Sequence, residues 1–111
     1  MIQSSLMPSK IRITFASLAL ILGIGHLAYG GFAYKAYSLE LLWFCGTGIA
    51  IIVTALANFR PNEGGLTGLQ NAVMLSFSLA IAAAAPLPQV WAAVILFSGL
   101  FVISMMDLRR A

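Results

Sequence analysis

From Gly64 to Met106 the chain runs for 43 residues without a charged side chain. As a single α-helix that run would reach ~65 Å, about twice the ~30 Å hydrocarbon core of a bilayer. It must therefore fold back, and Pro86-Leu87-Pro88-Gln89 is where it does so. The two prolines remove backbone donors and disfavour helix at the residue before each. Two further uncharged runs precede it. Ile13 to Tyr34 (22 residues) lies between Arg12 and Lys35, and Leu41 to Phe59 (19 residues) lies between Glu40 and Arg60. Each is long enough for one crossing. The pattern predicts helices over 11–34, 39–59, 66–85 and 89–107. Strands are not expected, because the runs are too long, are rich in Ala and Leu, and lack polar alternation.

Charged residues make up 8% of the chain and hydrophobic residues 61%. A soluble domain carries ~25% charge, so lipid must be the solvent for most of this surface. The expected fold is all-α: one four-helix transmembrane bundle spanning 1–111. The connections, Tyr34 to Ser38 and Arg60-Pro61-Asn62-Glu63-Gly64-Gly65, are short. Short loops make consecutive helices antiparallel neighbours, up-down-up-down. The first ten residues are expected outside the bundle, along the headgroups. Four crossings place Lys10, Arg12, Arg60, Arg109 and Arg110 on one side and Lys35 alone on the other. By the positive-inside rule both termini are cytoplasmic. Tyr29, Tyr34, Tyr37, Trp43 and Trp91 then form an aromatic belt near the opposite face. A cleaved leader ending at Ala28-Tyr29-Gly30 is the competing reading; its apolar stretch is at the upper edge of leader length, so retention is expected.

The net charge of +3 reads as topology signals and lipid-headgroup contacts, because no basic patch interleaved with aromatics is present. Membrane lipids are the expected partners and nucleic acid is not. Cys45 is the one cysteine and lies in an apolar run, where it packs. No glycine loop cradles phosphate, no nucleophile–histidine–acid set is visible, and no His or Cys pair stands at metal spacing. No metal or other cofactor is expected. A haem would need a second strong ligand, and a quinone would enter only as a lipophilic guest.

His26 is the most informative single residue. It shares a face of the first helix with Ala16, Ala19, Gly23, Gly30 and Ala33, all small, so it faces protein. In the plain reading it is a structural hydrogen bond across the bundle. In the sharper one it pairs with Glu40, which starts the second helix, at a pocket walled by Trp43. Glu40 alone is also explained as an acid favoured by a helix dipole. Enzyme chemistry would have to use this region, and is not the expected function. Asn58, Gln70 and Asn71 lie towards the cytoplasmic end of the second and third helices. They read as polar ties between those helices, or as the inner end of a polar pathway. Gly46-x-x-x-Ala50, with Gly48, and Gly99 mark expected close helix contacts.

His26-Leu27-Ala28-Tyr29-Gly30, followed by Leu42-Trp43-Phe44-Cys45-Gly46-Thr47-Gly48 and Leu56-Ala57-Asn58, resembles a group of small, uncharacterised four-span bacterial inner-membrane proteins. The resemblance covers the first two helices. It implies a bacterial cytoplasmic membrane and brings no activity with it. Four helices of ~10 Å diameter enclose little space, so a small or elongated guest is expected. Two functions are open: a binding or interaction module with an outward-facing pocket for a small lipophilic ligand edged by His26, Glu40 and Trp43, or a homo-oligomeric small transporter or channel subunit.

Overall fold

The computed structural model describes residues 2–62 and 64–110, with side chains over 10–62 and 64–109. Glu63, in the expected turn, lies outside the described residues. Among those described there are four helices and no strand: α1 Ile2–Ala33, α2 Leu39–Ala57, α3 Leu66–Ala84 and α4 Pro88–Arg110. All four are long and apolar enough to cross a membrane. By length and composition the fold is that of a multi-pass membrane protein.

Two helix ends differ from expectation. α1 begins at Ile2, not near residue 11. Within its first two turns only Pro8 opposes helix, and a proline there removes a single backbone bond. α4 continues past Met106 to Arg110. Charge ends an apolar run without ending a helix, and Arg109 in a last turn suits the helix dipole.

The turns are locally encoded. Ser38 caps α2 in an extended conformation, its Oγ accepting from the Leu41 N–H at 3.1 Å. Gly65 precedes α3 with φ of 84°, a left-handed conformation that glycine adopts without steric cost. Its N–H donates to Asn62 Oδ1 at 2.9 Å. Pro88 opens α4 as its first helical residue, where its missing N–H costs nothing.

In the bundle α1 packs on α2 and α4, and α3 packs on α2 and α4; the diagonal pairs do not touch. Lipid gives helices little hydrophobic reason to associate, so close packing of small residues must hold them. The small face of α1 does this. Ala16 and Ala19 are fully buried. A Cβ built on Gly23 would lie 2.8 Å from Ile52 Cγ1, and one on Gly30 would lie 2.9 Å from the Phe44 ring. One on Gly48 would lie 3.3 Å from both the Gly23 carbonyl oxygen and the Leu27 nitrogen. On α4, Gly99 makes room for the Phe15 ring. Gly46 is not a close contact: it is exposed with nothing within 4 Å. It lies two residues from Gly48, about 200° round the helix, so the two cannot share a face. Ala33 is likewise exposed, beyond the last turn in contact.

The α2–α3 meeting is the sparsest of the four. Its firm point is at the end where Arg12 of α1 meets Asp107 of α4, here called the tied end. The other end, where Tyr34, Glu40, Leu87 and Gln89 line one cavity, is here called the open end.

Candidate ligand cavity

A cavity of about 940 Å³ lies between the α1–α2 and α3–α4 hairpins. Drug-sized ligand sites fall in the range of ~300–1,000 Å³. The space is larger than four packed helices were expected to leave, because α2 and α3 barely meet above their tied end. The cavity floor is apolar, with Ile51, Met74 and Ala93. The space is partly open, and its lining at the open end includes Tyr34, Glu40 and Trp43 on one side and Leu87 and Gln89 on the other, a rim here called the mouth.

His26 is in the wall. The packing register of α1 on α2 explains how it is held. Gly48 brings the two backbones together beside the imidazole, and the Phe44 ring, one turn earlier, stacks on it at 3.8 Å between centroids with 11° between planes. Tyr29 and Tyr34 pack against the same Phe44 ring at 5.9 and 5.5 Å. Phe44 is thus the centre of an aromatic cluster that includes the histidine. His26 Nε2 is buried and has no hydrogen-bond partner among the described residues. An unpartnered buried polar atom costs about 1–3 kcal/mol.

The cavity lining brings His26, Glu40 and Trp43 together, but the expected His26–Glu40 pair is not made: no hydrogen bond or ion pair joins them. The register gives the reason. His26 is level with Gly48 and Gly30 with Phe44, so Glu40 is level with about residue 34. That places it about 12 Å along the axis from His26. Glu40 is exposed in the first turn of α2, at the mouth. Trp43 is largely exposed, and its carbonyl accepts from Thr47 Oγ1 at 2.9 Å.

The polar residues of the tied end form one buried network. Asn58 Nδ2 donates to Asn71 Oδ1, and Asn71 Nδ2 donates to Asn58 Oδ1, both at 2.8 Å. Asn58 Nδ2 also reaches the Thr54 carbonyl at 2.7 Å, and Asn71 Nδ2 the Leu100 carbonyl of α4 at 3.3 Å. Gln70 is not part of this network. It neighbours a smaller groove of about 360 Å³ between α2 and α3 that shares Met74 with the main cavity. One residue from Asn71 means about 100° round the helix, which turns it off the shared face.

Sequence reasoning missed the rest of the network. Arg12, expected as a flanking charge, is 6% exposed and lies 3.5 Å from Asp107 Oδ2. That is longer than a tight charge-assisted bond. The same oxygen accepts the Asn62 N–H at 3.2 Å, and Asn62 Nδ2 donates to the Ser104 carbonyl at 3.1 Å. A signal was available: Asp107 is an acid near the C-terminal end of an apolar helix, where the dipole disfavours it, so it needs a partner.

Among the described residues no group of three or more His, Cys, Asp or Glu could hold a metal ion. No family model, curated protein or solved structure matches the chain.

Proposed function

We propose that this chain is a small binding module of a bacterial inner membrane that holds a lipophilic molecule in the cavity between its two hairpins. One observation carries the reading: a largely apolar space of ligand size between the two hairpins. A guest there would replace lipid against the apolar lining and the aromatic cluster of His26 and Phe44. An up-down-up-down path with cytoplasmic termini fits the contacts of Arg12 with Asp107 and of Asn58 with Asn71, and puts the open end outward. The partners under this reading are membrane lipids and the guest. A homo-oligomeric transporter is the second reading. The small residues Ala16, Ala19, Gly23, Gly30 and Gly48 are buried inside one bundle, which leaves fewer small faces for joining copies and favours the first.

Gly25 supplies the test. It lines the cavity, and a Cβ there would meet nothing within 4 Å. Gly25→Phe should fill the space without breaking the fold. Native mass spectrometry of wild type released from membranes should show a monomer carrying a small molecule that Gly25→Phe lacks. An empty wild-type monomer, or identical adducts on both proteins, would sink the reading.

A further inference from the structure

The cavity is chemically lopsided. Its deep part is built by Ile51, Met74 and Ala93, and among all its lining residues Glu40 is the one that carries a formal charge. Glu40 sits at the mouth, exposed, and among the described residues no cation lies within ion-pair distance of it. Lys35, the nearest basic residue in sequence, does not line the cavity. Around the same mouth stand Tyr34, Trp43 and, one turn deeper, Phe44. Aromatic faces attract cations through their quadrupole, and they do so more strongly where water is thin. On α2 the lining runs from Glu40 to Ile51, a rise of about 16 Å. The shape is a long apolar slot below a negative aromatic rim.

We infer that the guest is a lipophilic monocation: an amphiphile whose ammonium or other cationic head rests at Glu40 among the aromatic rings and whose apolar body lies in the slot towards Met74. This rests on the reading of the cavity as a lipophile site and adds the sign of the charge. An anionic amphiphile would meet the Glu40 carboxylate with no described basic group lining the cavity to offset it. A neutral one would leave that carboxylate and the rim unused.

Three probes of equal chain length separate the cases: dodecyltrimethylammonium, dodecanol and dodecanoate. They are measured by equilibrium dialysis against the full chain in zwitterionic nanodiscs, with uptake by empty nanodiscs subtracted. The cation should bind wild type about tenfold more tightly than the alcohol, with the carboxylate weakest. Glu40→Gln should bring cation and alcohol to within about twofold, and Glu40→Lys should reverse the order in favour of dodecanoate. Glu40 is exposed and unpaired, so these variants should fold as wild type does. A cation no tighter than the alcohol, or a preference that survives Glu40→Gln, overturns the inference. If the alcohol still binds and Gly25→Phe abolishes it, the lipophile cavity stands while the cation idea falls. If no probe distinguishes wild type from Gly25→Phe, both fall.

Discussion

Replacing Asn58 and Asn71, singly and together, tests whether the tied end is what holds the two hairpins. Both side chains are essentially fully buried and exchange two hydrogen bonds at 2.8 Å. Side-chain hydrogen bonds inside membranes average ~0.6 kcal/mol and reach ~1.7, so the exchanged pair is worth about 1–3 kcal/mol. Each single alanine does more than remove the pair. Asn71→Ala leaves Asn58 Oδ1 buried without its partner, while Asn58 Nδ2 keeps the Thr54 carbonyl at 2.7 Å. Asn58→Ala strands Asn71 Oδ1, while Asn71 Nδ2 keeps the Leu100 carbonyl at 3.3 Å. An orphaned buried acceptor adds ~1–3 kcal/mol. Each single variant should therefore lose about 2–6 kcal/mol. The double variant removes both amides and leaves neither stranded by the other, so it should lose less than the sum by about 3 kcal/mol or more. Reversible unfolding in mixed micelles titrated with dodecyl sulfate measures all four proteins. Losses that simply add, within the ~0.3–0.5 kcal/mol expected of independent sites, would show that the two amides do not act on each other.

Three more expectations follow from the same geometry. Asp107→Ala removes the acid beside the buried Arg12 and the acceptor of the Asn62 N–H, and should cost about 2–3 kcal/mol; Asp107→Asn, which still accepts from Asn62, should cost about half as much, and equal losses on thermal unfolding in detergent would contradict this. Gly46→Ala should be neutral or stabilising by up to ~1 kcal/mol, since its Cβ meets nothing, whereas Gly23→Val must push into Ile51 and Ile52 and should lose about 1–3 kcal/mol; the reverse order would refute the α1–α2 register. His26→Phe keeps an aromatic ring on Phe44 but exchanges the imidazole's bond to the Phe44 backbone for a bare ring, so stability should change by no more than about 1 kcal/mol; a loss above about 2 kcal/mol on unfolding in detergent would show that the imidazole is held more firmly than that single bond.

Charge spacing alone made the helices legible. The 43-residue uncharged run and its two prolines placed the α3–α4 turn to within a residue or two. The Asn58–Asn71 pair was legible too, because amides within membrane spans need partners and these two lay at a common depth. Gln70 and Gly46 were misplaced for one shared reason. Sequence neighbours at the same depth point in different directions, and a shift of one or two residues turns a helical side chain by about 100–200°. Arg12 and Asp107 were obscured by their position at the edges of apolar runs, where a charge ordinarily marks the water boundary. Only the fold shows that Arg12, ten residues into α1, lies beside Asp107 near the end of α4, so that two boundary charges become an internal pair. The distance from His26 to Glu40 was hidden in the α1–α2 register, which Gly23, Gly30 and Gly48 set through contacts that no single helix reveals.

The cavity follows from how the adhesive residues are distributed. In lipid, an apolar wall facing another apolar wall gains little over the same wall facing acyl chains. A bundle closes only where small residues let backbones approach or polar groups need each other. On α1 and α2 the small residues continue up to Gly30 and Phe44, so that pair stays closed towards the open end. Between α2 and α3 the polar ties stop at Asn58 and Asn71, and the side chains above them that line the cavity include the bulky Trp43, Phe44, Ile51, Phe77 and Ile81. Bulky apolar side chains with no polar demand do not draw those two helices together. The same four helices can therefore be rigid at one end and hollow at the other. A new amide pair facing across the cavity floor, Ile51→Asn with Met74→Asn, should tie the two helices and exclude any guest, at a net cost in stability because two buried core side chains are lost. If the double variant kept its ligand, the cavity would have to be held open by something other than the absence of attraction between α2 and α3.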